Sequence, residues 1–259
     1  MKLYKIIIAI VIGGVAFSAC EKAGLRLTEY SLPTDKSFVR VFLLSPGTPN
    51  VMIKANDVKI NGANTSGNGG LFPTTFTFPD YAAVAPNSTI KLSLPNSGTQ
   101  NDSVVLFSST LGLEANKFYA LTLCDTGMNR SFFAIEDKFL AQRDSFLSVR
   151  LINATVGSSL HFIRVDSTNA TDVVRDTLAS NVPFKGTSGF ISVRTFSTRP
   201  FIRLRVVNSN GTLIAGSVIP PQTLATGSRR SITVYTNGIF GSAVAPNIPS
   251  LITLAITNQ

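Results

Sequence analysis

The residues able to do chemistry are few. His161 is the sole imidazole in 259 residues, and Cys20 and Cys124 are the only thiols. A Ser-His-Asp hydrolase would need His161 as its base, yet it lies in Leu160-His161-Phe162-Ile163-Arg164-Val165, an alternating run that places it on a sheet face. No G-x-S-x-G elbow accompanies it. Glu136-Asp137 is a pair of adjacent carboxylates, but neighbours in an extended chain point to opposite faces, so the pair reads as boundary polarity and not as a shared acid and base. Asp166, Asn169, Asp172 and Asp176 gather oxygen ligands around an expected loop without the Asp-x-Asp-x-Asp-Gly spacing of a calcium loop. Gly67-Asn68-Gly69-Gly70 lacks the Lys-Ser/Thr and the helix of a phosphate loop. The reading is a protein that is not an enzyme, with no catalytic residues, no metal and no cofactor.

Cys20 has a different context. Met1-Lys2-Leu3-Tyr4-Lys5 is cationic, and Ile6 to Val15 is apolar over about ten residues, a length that suits a secretion signal and falls short of a spanning helix. Phe17-Ser18-Ala19-Cys20 then resembles the lipobox of bacterial lipoprotein precursors. That resemblance implies cleavage after residue 19, acylation of Cys20, and a partner in the membrane reached through lipid, in the cell envelope and at the outer membrane. With Cys20 acylated no intrachain disulfide forms, and Cys124, inside Phe118-Tyr119-Ala120-Leu121-Thr122-Leu123-Cys124, reads as a small buried hydrophobe. Residues 20–36 form a polar tether.

The elements that carry these residues are strands. The chain is 44% hydrophobic and 14% charged, with Gly 19 and Pro 13, a composition that favours short strands and turns around a buried core. The net charge of +9 does not indicate nucleic acid. Arg194, Arg199, Arg203 and Arg205 alternate with apolar residues as solvated strand faces do, and Arg229-Arg230 reads likewise.

An internal repeat organises the mature chain. Val39 to Gly47 (VRVFLLSPG) aligns with Val149 to Gly157 (VRLINATVG). Ile90 to Ser97 aligns with Ile202 to Ser209, and Leu113 to Gly127 with Leu224 to Gly238. The period is about 110 residues, the size of a domain. Phe38 to Leu44 and Phe146 to Ile152 read as half-buried strands. Thr89 to Leu94 and Phe201 to Val207 alternate cleanly. Asn96 to Gly98 and Asn208 to Gly211 then supply turn residues for hairpins into Val104 to Phe107 and Thr212 to Val218. Ile248 to Thr257 closes the second sheet. With about seven strands per copy, the expected fold is all-β: two tandem antiparallel β-sandwich domains of immunoglobulin or transthyretin build, over 37–141 and 142–259, after a signal peptide at 1–19.

The segments Val39 to Val51 and Val149 to Ala154, with Leu178 to Gly186 ending in an aromatic, a spacer and Gly, resemble domain of unknown function family 4397. That resemblance implies a tandem β-sandwich, often a lipoprotein of the Bacteroidetes type, and no settled chemistry. It leads to a non-enzymatic lipoprotein for binding or adhesion. The alternatives are a pilin-like subunit donating Ile248 to Thr257, or a glycan-binding accessory of an importer. A partner would be an envelope protein or a glycan, met at the loop Asn61 to Gly70 and its flanking aromatics Phe72, Phe76, Phe78 and Tyr81. With no Trp in the chain a strong sugar-stacking platform is not expected, though Tyr81 could serve.

Overall fold

Alternating apolar residues and Asn, Asp and Gly turns give strands throughout. A computed structural model describes residues 32–45, 47–61, 70–72, 81–95, 101–125, 129–138, 140, 146–166, 173–194, 203–212, 230–243 and 250–257. Among them lie sixteen strands and no α-helix. The first half carries β1 (Ser37–Leu43), β2 (Met52–Ala55), β3 (Val58–Lys59), β4 (Gly70–Phe72), β5 (Ala82–Val84), β6 (Thr89–Pro95), β7 (Asp102–Thr110), β8 (Phe118–Cys124) and β9 (Ser131–Glu136). The second carries β10 (Phe146–Asn153), β11 (Leu160–Asp166), β12 (Val173–Val182), β13 (Ile191–Arg194), β14 (Arg203–Asn208), β15 (Arg230–Asn237) and β16 (Ser250–Thr257).

The strands build four sheets. In the first half β4-β1-β8-β9 form one, with β5 also on β1, and β3-β2-β6-β7 form another; in the second half the sheets are β13-β10-β15-β16 and β12-β11-β14. The turn joining β2 to β3 puts Asn56 and Asp57 at φ 48° and 64°, the two-residue hairpin geometry that these residue types tolerate best. The expected hairpin of β6 into β7 forms. After β14, the side-chain oxygen of Asn208 accepts the N–H groups of Asn210 (3.1 Å) and Thr212 (2.8 Å), and Gly211 takes φ 79°. The returning strand expected beyond Thr212 lies outside the described residues. At the second half's Pro183 to Gly186 turn, a Cβ on Gly186 would stand 2.8 Å from the Pro183 ring, so only glycine fits.

Two expectations need correction. The sheets are not purely antiparallel: β1 runs parallel to β8, and β10 parallel to β15. These partners open and nearly close their copies, so no tight turn joins them and nothing forces opposite directions. Nor are the opening strands half-buried, for β1 is buried at every position and β10 at all but its first. Alternate residues serve two different cores. Val39, Val41 and Leu43 join Ile53, Ile90, Leu92, Leu121 and Leu123 in one cluster, and Leu147, Val149 and Leu151 join Phe162, Leu204, Val206, Ile232 and Val234 in a second. From the opposite faces of the same strands, Phe42, Leu44, Ala120 and Cys124 meet Ile152, Ala154 and Tyr235 in a third. The two halves therefore pack sheet on sheet, and Thr34–Gln259 forms one compact unit.

Candidate functional site

The residues singled out by sequence are dispersed. Cys20, Phe76, Phe78, Asn169, Asp172 and most of the Asn61 to Gly70 loop lie outside the described residues. Asn61 itself is buried, its side-chain oxygen accepting the N–H of Ile53 (2.8 Å) and its amide donating to the carbonyl of Val51 (3.1 Å). His161 lies half-buried on β11 opposite Val207. Asp166 ends β11, and exposed Asp176 on β12 stands 3.9 Å from Arg164. Among the described residues no three acid, His or Cys side chains gather as a metal would need.

Cys124 closes β8, fully buried, with its thiol 3.6 Å from the Ser131 carbonyl and 3.6 Å from the Ser131 hydroxyl. Burial pushes the thiol above its ordinary value, and the Ser131 hydrogen bond only partly counters this.

Glu136-Asp137 is not simple boundary polarity. Glu136 faces outward toward Lys117 and Lys138, at 3.6 Å from each. Asp137 turns inward into the layer between the halves. The N–H of Asp137 donates to the Phe118 carbonyl (2.8 Å), and its Oδ2 accepts the Tyr81 hydroxyl (2.6 Å). Its Oδ1 forms an ion pair with Nη1 of Arg150, both side chains 1% exposed. The Nε–H of Arg150 continues to Oγ1 of Thr233 on β15 (2.9 Å). Burial, with the Asp137 charge beside it, drives the Tyr81 hydroxyl far above its ordinary range, so the phenol stays protonated and donates. Tyr81, the ring that could have served a sugar, is thus buried and committed to the interior.

The arrangement follows the repeat. Val39 lies opposite Ala82, and Val149 opposite Ile191, so Tyr81 and Phe190 occupy matching positions beside Arg40 and Arg150. Each guanidinium covers its ring, Arg40 at 4.6 Å from the Tyr81 centroid and Arg150 at 4.4 Å from that of Phe190. Sequence reasoning missed this motif. Its signal was the one long cation at the same place in both aligned opening strands.

A second polar group sits on the β3-β2-β6-β7 sheet. Lys54 and Lys91 lie directly opposite in register, a like-charge pairing that is unfavourable alone. Asp102 answers both, 2.8 Å from Lys54 and 3.6 Å from Lys91, while Asp57 also pairs with Lys91. The hydrogen bonds from Lys54 and then Ser93 hold the Asp102 carboxyl below its ordinary value. Val104 and Val105 on β7 and Val58 on β3 are exposed, giving this sheet an apolar rim.

These groups orient strands and halves, and none of them combines an accessible nucleophile with a base. No family model matches the chain, so the resemblance to domain of unknown function family 4397 rests on the quoted segments alone. No curated protein matches it either. Among solved structures the chain is similar to one from Bacteroides eggerthii DSM 20697 described as a "putative cell adhesion protein", with 9% identity, a TM-score of 0.25, and coverage of 87% of this chain and 97% of that one.

Proposed function

We propose that this chain is a non-enzymatic cell-envelope lipoprotein, held at the outer membrane through acylated Cys20, that displays two β-sandwich modules of the family 4397 type for binding or adhesion. The observation that carries the reading is the sheet plan met twice, with β1 beside β8 in parallel and β10 beside β15 in parallel. A duplicated scaffold whose polar interior is spent on holding strands offers surface and not chemistry. The exposed valines of β3 and β7 and the loop at 61–70 are the places on that scaffold where a protein or glycan partner would be met.

The candidate donor strand for pilin-like assembly, β16, is engaged in its own chain, antiparallel to β15 from Arg230↔Thr257 to Asn237↔Ser250. Strand donation would require it to leave that pairing.

Mass spectrometry of the membrane fraction tests the anchor: residue 20 should carry lipid, and Cys20→Ser should release the protein from membranes. Cells displaying the chain should retain a protein or polysaccharide ligand that cells with Cys20→Ser do not. Turnover of glycosides, esters or peptides at enzyme-like rates by the purified chain would overturn the reading.

A further inference from the structure

We infer that Asp137 is a latch that fixes the two halves of the chain in one orientation, and that without it this orientation is no longer single. The carboxylate sits at the covalent junction itself, one residue beyond β9. It is tied to the first half twice, through its own N–H to the Phe118 carbonyl and through the Tyr81 hydroxyl, and to the second half through Arg150, which is anchored on Thr233. Hydrogen bonds on each side, joined by one buried ion pair, therefore cross the seam from β8 to β15.

The apolar part of the seam is non-directional. Phe42, Leu44, Ala120, Cys124, Ile152, Ala154 and Tyr235 exclude water but do not by themselves dictate an angle. A buried ion pair does, because any rotation that parts Asp137 from Arg150 takes from each buried charge the opposite charge that offsets its lost water. The repeat makes the assignment specific. In register, Val39-Tyr119-Glu136 corresponds to Val149-Ile232-Ala255, so the residue matching Asp137 in the second copy is Ile256. The Arg-over-ring pair is common to both copies, whereas among the described residues the carboxylate that spans them stands at the joint, as Asp137.

The inference goes beyond the display reading and is tested without any ligand, so its failure is separable from failure of that reading. Spin labels at Ser108→Cys and Ser180→Cys, both exposed sites, on the full chain carrying Cys20→Ser report the distance between halves, with buried Cys124 left in place. A single narrow distance distribution is expected, broadening in Asp137→Ala and in the near-isosteric Asp137→Asn, while amide-exchange protection of Ile53 and Phe162 in the separate cores persists. A distribution equally narrow in a folded variant would overturn the latch. Loss of protection in both cores of both variants would overturn it too, since the contact would then serve folding and not orientation.

Discussion

The ring of Phe42 on β1 lies 4.1 Å from that of Tyr235 on β15, tilted by 33°, and both residues are inaccessible to solvent. Each projects from the face of its strand that points away from its own half's core. Truncation at this contact removes packing from the seam and leaves a void that two stiff sheets cannot close. Phe42→Ala should cost about 3–5 kcal/mol, and Phe42→Leu about 1–2 kcal/mol. Urea denaturation reads both values. A loss under about 1 kcal/mol for Phe42→Ala would mean that the halves do not pack there.

The ion pair behind that contact behaves asymmetrically. Asp137→Ala leaves the Arg150 cation buried without its carboxylate, at a cost of about 3–5 kcal/mol. The double substitution Asp137→Leu with Arg150→Met removes both charges and should recover most of that loss in thermal unfolding. Additive losses would show that the two side chains are not coupled.

Cys124 should be inert in the folded chain. Its thiol is buried, hydrogen-bonded to Ser131 and shifted upward, so little thiolate forms near neutral pH. A thiol reagent should leave residue 124 unmodified in the native chain for hours and label it fully in denaturant. Rapid native labelling would contradict the burial.

Acid should weaken the β2-β6-β7 face through Asp102. Its carboxyl is held below the unfolded value of about 3.9, so its contribution is complete above that value and is lost as pH falls through the lower, folded one. Stability measured from pH 6 downward should fall more steeply in the native chain than in Asp102→Asn. Parallel curves would remove Asp102 from the account. Lys91 shifts upward beside Asp57 and stays cationic throughout this range.

The all-β class was legible because alternation, β-branched residues and turn chemistry all act over a few neighbours. The strand Thr89 to Leu94, the β6 to β7 hairpin and the pairing of the last segment follow from local pattern. So did the buried character of Cys124, which the apolar run around it dictates.

What required the tertiary structure was which face meets what. The alternation in Val39 to Leu44 announces one buried face, and only the arrival of β10 and β15 buries Phe42 and Leu44 on the other. Parallel pairing of β1 with β8 depends on strands at the two ends of a copy, beyond the reach of any turn rule. Asp137 looked like boundary polarity because in sequence it borders a connection. Its role comes from Tyr81 and Arg150, brought to it by separate strands, and a charge acquires its meaning from the groups that replace its water.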